Sequence, residues 1–264
     1  MPEWLAVLLL GIIEGVTEFL PVSSTGHLLV AQRWLPRQTD LFNIVIQCGA
    51  VVAVLPLFRP RLMKIARFAT DVEGRVYGLK VLAAFGITGV GGLLLEKGGF
   101  RLPEELLPIA IALLVGGVLF IAIERLVRDR VVREELTWAI VVAVGAAQLV
   151  AAVFPGTSRS GATILIMLAL GLSRVAATEF TFLVGIPTIL AGGALKIFKA
   201  LHKPALDAPA ESWGMVALGV VVSAVVSFVV VKWLLGYVQK NSFVVFGWYR
   251  IALAAVVLLL LYFG

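Results

Sequence analysis

Charge is scarce in this chain of 264 residues: Asp, Glu, Lys and Arg make up 14% of it, against about a quarter of a soluble domain. Cysteine is scarcer still. Cys48 stands alone in an apolar run, which excludes an intrachain disulfide and fits a small core residue. One cysteine and two histidines form no cluster with metal-ligand spacing. A basic soluble face is also missing, so the net charge of +6 and pI near 9.7 imply no nucleic-acid partner. The N-terminus lacks the basic region and small-residue cleavage site of a signal peptide, so its first apolar run is expected to belong to the mature protein.

What abounds is apolar sequence, 61% of the chain, with a mean hydropathy of +1.04. A water-soluble fold of this size cannot hide that much apolar surface, and surrounding hydrocarbon removes the need. The expected fold is an all-α, multi-pass integral membrane protein with its functional groups buried at membrane depth. Six runs are long enough to span, near 41–58, 79–95, 106–124, 178–198, 213–235 and 246–263. Two further apolar regions, about 4–31 and 136–171, are interrupted by Pro21-Val22-Ser23-Ser24-Thr25-Gly26-His27 and by Pro155-Gly156-Thr157-Ser158-Arg159-Ser160-Gly161. Their halves are too short to cross. They read as re-entrant helical hairpins, tolerated at depth only where protein or a water-filled cavity surrounds them.

Charge orients the chain. The 59–78 loop carries Arg59, Arg61, Lys64, Arg67 and Arg75, and the 125–135 loop Arg125, Arg128, Arg130 and Arg133. The 96–105 loop sets Glu96, Glu104 and Glu105 against Lys97 and Arg101, and 236–245 adds only Lys240. The arginine-rich loops are predicted to be cytoplasmic, so the first hairpin enters from outside and the second from inside. The hairpins also align at an offset of 134, pairing Gly11 with Gly145, Glu14 with Gln148, Pro21 with Pro155 and Ser24 with Ser158; two residues further on, Gly49 meets Gly185. A single membrane domain, 1–264, would thus hold repeat 1 (1–124) and an inverted repeat 2 (136–264), each a hairpin followed by three spans. Broken helices of inverted repeats meet near the midplane and build sites there.

Glu14 and Glu18, four apart, share a helical face. Such a pair can hold a divalent cation, accept a proton, or simply pin the hairpin. Ser23, Ser24, Thr25 and His27 follow: a hydroxyl beside an imidazole is a nucleophile–base candidate, an imidazole can itself attack phosphorus, and a helix N-cap would look the same. Arg159 needs a negative partner in an apolar hairpin. Its planar fork suits phosphate, and an ion pair with Glu14 or Glu18 would also serve. Gly156, Thr157, Ser158, Ser160 and Gly161 offer hydroxyls and unhindered backbone N–H groups around it. Acids, hydroxyls and imidazole on one hairpin, with a cation on the other, suit phosphoryl transfer to water. At membrane depth, the substrate would be a lipid-linked phosphate. Asn43 and Gln47 are expected to line the cavity or bond between helices, His202 to be solvated in a loop with Lys203 and Pro204, and Trp248, Tyr249 and Tyr262 to anchor at the interface.

The segment from Glu14 to His27 resembles the first signature of the bacterial undecaprenyl-diphosphate phosphatases of the bacitracin-resistance type, and Pro155 to Gly161 resembles their second. The resemblance covers the whole chain in length and span layout. It implies hydrolysis of undecaprenyl diphosphate to undecaprenyl phosphate and inorganic phosphate, recycling the lipid carrier of cell-wall synthesis in the bacterial inner membrane. It further implies a divalent cation (Mg2+ or Ca2+) and a site open to the periplasm. By motif position, Glu14 and Glu18 become the essential acids, Ser24 and His27 the nucleophile or acid–base candidates, and Arg159 the phosphate ligand. A transporter or flippase of an anionic prenyl phosphate lipid is the alternative that inverted repeats suggest, and homodimer assembly stays open.

Overall fold

The computed structural model describes residues 1–100, 105–202 and 212–263, which form helices with no strand among them. Six helical segments are long and apolar enough to cross a bilayer. The first is composite: α3 (Asp40–Val54) passes through a 3₁₀ turn (Leu55–Phe58) into α4 (Arg59–Ala66). The others are α5 (Val72–Lys97), α6 (Leu106–Val127), α9 (Arg174–His202), α10 (Trp213–Tyr237) and α11 (Val244–Phe263). Four shorter helices, α1 (Glu3–Thr17), α2 (Ser24–Ala31), α7 (Trp138–Val153) and α8 (Arg159–Ala169), make up the two interrupted regions.

All six expected spans are present, with corrected boundaries; the second begins at Val72, capped by Asp71, which accepts from Gly74 N–H at 2.9 Å, so Arg75 is helical rather than in a loop. The first continues past residue 58, because Pro56 and Pro60 sit in the first turns of the 3₁₀ segment and of α4, where a missing N–H costs nothing. Arg59, Arg61 and Lys64 are therefore helical rather than in a loop. Helix α9 begins at Arg174 because Ser173 caps it, its hydroxyl accepting from Ala176 N–H at 3.2 Å, and two ion pairs tie this end to its neighbours. Arg174 Nε bonds the buried Glu124 of α6 at 2.9 Å, and Arg61 Nε reaches Glu179 at 2.7 Å. His202 is the last residue of α9, stacked on Phe198 at 4.1 Å, and not a loop residue. Arg101, Glu104, Lys203 and Pro204 lie outside the described residues.

Packing is reciprocal between the two halves. Helix α1 lies on α10 and α7 on α5; α3 also meets α10 and α9 meets α5; α3 faces α9, and α6 faces α11. Buried Ser227 and Ser223 of α10 donate to Gly15 O and Ile46 O, at 3.1 Å each, fastening α1 and α3 to one helix. In hydrocarbon such bonds and close contacts replace the hydrophobic drive that packs soluble helices. Phe19, at the first break, sits edge-on to Phe182 of α9 at 5.2 Å and anchors that break in the main core. Cys48 is half-buried between α3 and α9, its thiol 3.9 Å from Ile189 O, rather than a core residue.

Candidate active site

Both interruptions use one local device. Ser23 and Ser158 are N-caps in left-handed backbone, at φ 74° and 68°, and each side chain accepts from the N–H three residues on: Gly26 at 3.2 Å and Gly161 at 3.1 Å. This satisfies one orphan donor of each helix. The caps are 135 residues apart, so the pairing of Ser24 with Ser158 is off by one. Between the aligned proline and the cap the second segment has one more residue, Pro155 to Ser158 against Pro21 to Ser23, and Gly156 (φ +91°) lies within that stretch. Only glycine suits that backbone, and a Cβ there would come within 2.8 Å of Ile109 O. The structural partner of Ser24 is therefore Arg159.

That substitution of register creates the site. The Ser24 hydroxyl, released from capping by Ser23, donates to Glu18 Oε2 at 2.7 Å. Arg159 Nη2 donates to Glu18 Oε1 at 3.1 Å. One carboxylate thus joins a hydroxyl from the amino-terminal half to a guanidinium from the carboxy-terminal half. Gly185 of α9 gives the guanidinium its space, since a Cβ there would lie 1.9 Å from Nη1. One turn before Glu18, Glu14 is completely buried. Among the described residues, both its oxygens and Arg159 Nη1 have no hydrogen-bond partner. Buried polar atoms left unpaired are costly. A ligand bound here would relieve them.

Glu18, Ser24 and Arg159 border a cavity of about 640 Å³, whereas Glu14 lies buried behind Glu18 and does not line it. Glu18, Ser23, Ser24, Thr25, Gly156, Ser158 and Arg159 form its inner end; Asn43 and Gln47 line its α3 wall. Its other end lies at Arg37, Asp40 and Lys196, away from the basic residues of α4 and the arginines that follow α6. Thr157, Ser160 and Gly161 do not line it. Ser160 instead donates to Leu20 O at 3.0 Å and ties the second break to the first.

His27 also points elsewhere. Its Nδ1 lies 2.7 Å from Ser23 O, and its Nε2 lies 2.6 Å from the Tyr249 hydroxyl, with the two rings stacked at 5.6 Å. A carbonyl only accepts, so Nδ1 carries the proton; in the neutral ring, Nε2 accepts from the tyrosine. Tyr249 is thus bound to α2, not serving only as an interfacial anchor, whereas Trp248 and Tyr262 face outward.

Sequence reasoning missed Arg250. It is wholly buried in α11 and donates to Pro21 O at 3.1 Å, Gly156 O at 3.1 Å and Ala112 O at 3.0 Å. One guanidinium therefore clamps both breaks to α6. The signal was available: Arg250 is an arginine inside an apolar span, the criterion that singled out Arg159.

Among the described residues no three His, Cys, Asp or Glu side chains converge as a metal cluster. Glu14 and Glu18 remain as a carboxylate pair in which the Glu14 oxygens are unpartnered and those of Glu18 are bonded to Ser24 and Arg159, an oxygen set whose chemistry would suit a hard cation.

A family model described as bacitracin resistance protein BacA matches residues 7–256. An undecaprenyl-diphosphatase of Xanthomonas oryzae pv. oryzae (strain PXO99A) is 48% identical over 260 residues, 98% of this chain and 97% of its own. Proteins of the same name from Rhizobium etli (strain CIAT 652) and Xylella fastidiosa (strain 9a5c) are 46% and 47% identical. The first match covers 97% of this chain and 96% of the relative, the second 98% of each. Matched almost from end to end, this chain belongs to the family of the bacitracin resistance protein BacA.

Proposed function

We propose that the protein hydrolyses undecaprenyl diphosphate to undecaprenyl phosphate and inorganic phosphate, a phosphatase that recycles the lipid carrier of cell-wall synthesis and so contributes to bacitracin resistance. The observation that carries this reading is Glu18 bonded at once to Ser24 and Arg159. Glu18 takes the Ser24 proton as Oγ attacks the terminal phosphorus. The bond from that phosphorus to the bridging oxygen breaks, and undecaprenyl phosphate departs with the proton that Glu18 passes to that oxygen. Water, giving a proton to the freed Glu18 carboxylate, then cleaves the phosphoserine, and Glu18 returns that proton to Ser24 Oγ as phosphate leaves. Arg159 leaves Glu18 to hold the equatorial oxygens, where its fork is worth most as charge spreads. His27, engaged at both nitrogens, holds α2 against α11 and is ranked behind Ser24 as the attacking group.

A divalent cation, Mg2+ or Ca2+, fits Glu14 and Glu18, and when bound would neutralise charge on the phosphate oxygens. The reciprocal packing of α1 with α10 and α7 with α5 supports two inverted repeats, 1–124 and 136–264, each opening with a re-entrant hairpin. Helices α1 and α7 have 15 and 16 residues, about 22–24 Å at 1.5 Å per residue and short of the hydrocarbon core. The basic residues of α4 and the arginines that follow α6 argue for a cytoplasmic side opposite the cavity mouth, so the site opens to the periplasm of the bacterial inner membrane.

Phosphate release from undecaprenyl diphosphate by purified protein in detergent tests the reaction. Ser24→Ala is expected to lower kcat by about 10³-fold or more. Normal turnover in that variant would refute the serine as nucleophile; normal turnover in Arg159→Ala would refute the site.

A further inference from the structure

The reaction leaves the isoprenoid tail without a place, and the cavity walls restrict where it can go. The α3 wall is mostly polar, with Asp40, Asn43 and Gln47 at helical spacing beside Ile44, and Gln32 donating to Asn43 Oδ1 at 3.3 Å. The α2 wall changes along its length, from Ser24 and Thr25 at the helix start to Leu28 and Leu29 beyond them. Leu29 also lines a second, shallower cavity of about 450 Å³ beside α2. The rest of that cavity is Leu106 and Leu107 at the start of α6, Leu261 near the end of α11, and Arg33 and Glu105. Both charged residues lie just beyond helix ends, at the level of the α2–α3 connection, with leucines beneath them. In a bilayer the charges stand at headgroup depth and the leucines in hydrocarbon.

We propose that this leucine groove is the subsite for the isoprenoid tail of the substrate, entered over Leu29 from the active-site cavity. The proposal rests on the diphosphatase reading and extends it. Leu29 lies five residues beyond Ser24 on α2, about 7.5 Å along the axis at 1.5 Å per residue. The first isoprene units run along Leu28 and Leu29, and those that follow occupy the groove. Lipid is as apolar as leucine, so moving the tail from bilayer to groove adds little affinity. What the groove contributes is orientation: a tail led out along α2 keeps the terminal phosphorus facing Ser24. A short prenyl chain never reaches the groove and is indifferent to it.

Leu107→Trp and Leu261→Trp fill the groove from positions that are exposed and outside the active-site cavity. Purified full-length protein in detergent is assayed for phosphate release from undecaprenyl diphosphate and from geranyl diphosphate. Each variant is expected to lose about tenfold in kcat/KM on the long substrate and to stay within about twofold on the short one. Unchanged turnover of the long substrate, or an equal loss on both, overturns the groove while leaving the diphosphatase intact. A long-chain loss in Ala152→Trp, on the α7 side of the active-site cavity, without one in Leu107→Trp would send the tail past α7 and overturn it as well. Unmodified protein that releases phosphate from neither substrate removes the underlying reaction and the groove with it.

Discussion

The two breaks share a backbone and differ in chemistry. Each ends in a serine N-cap with positive φ that accepts from a glycine N–H three residues later. At the next position the first break presents a hydroxyl, Ser24, and the second a guanidinium, Arg159. The helices before them diverge in the same way. Glu14 is buried with both oxygens unpartnered among the described residues, while Gln148, its counterpart at an offset of 134, has its amide bonded to Thr88 at 2.8 Å and its carbonyl approached by Thr188 at 3.4 Å. One half keeps its polar atoms poised for a ligand, and the other has satisfied them internally. The two halves thus differ in what they bring to the site: the first a hydroxyl and two carboxylates, the second a guanidinium and a settled core.

Substitutions that blur this division test it. After loss of the Ser24 hydroxyl, the largest effect is expected from Arg159→Lys, which keeps the charge and loses the fork. The geometry of Arg159 with Glu18 and phosphate predicts a fall of about 10²-fold in kcat, measured by phosphate release. Lysine sustaining full turnover would reduce Arg159 to a point charge.

Removing the clamp common to both breaks comes next. Arg250→Met strands the carbonyls of Pro21, Ala112 and Gly156 in an apolar interior. It is expected to cost about 3 kcal/mol of stability, read as a lower melting temperature in detergent, with activity lost in parallel. A variant that melts normally would show that the breaks hold their shape without it.

Smallest is the change confined to the settled half. Thr88→Val removes the partner of Gln148 and should cost about 1 kcal/mol of stability while leaving kcat alone. A large loss of activity there would mean that the second half contributes more to the chemistry than Arg159 and its cap.

Much of the fold was legible because a membrane imposes simple rules. Span length, apolar runs and clustered arginines are properties of sequence, and all six spans are present, although several begin or end elsewhere than hydropathy put them. Glu14, Glu18 and Arg159 were legible because charge in hydrocarbon demands a reason. The misreadings nearest the site have tertiary causes. Tyr249 pairs with His27 across 222 residues. Ser160 and Gly161 are consumed in holding the breaks together. Arg250 meets only carbonyls that no sequence pattern marks as neighbours.

By itself, the sequence determined that the protein crosses a membrane, where its helices are interrupted, and that Glu14, Glu18 and Arg159 need partners at depth, because the hydration cost of each residue depends on its own chemistry. Only the tertiary structure decided which serine caps and which bonds Glu18, that Glu18 joins Ser24 to Arg159, and that the imidazole is turned toward Tyr249. Those outcomes depend on the one extra residue between Pro155 and Ser158 and on contacts between helices more than a hundred residues apart, which local patterning does not encode.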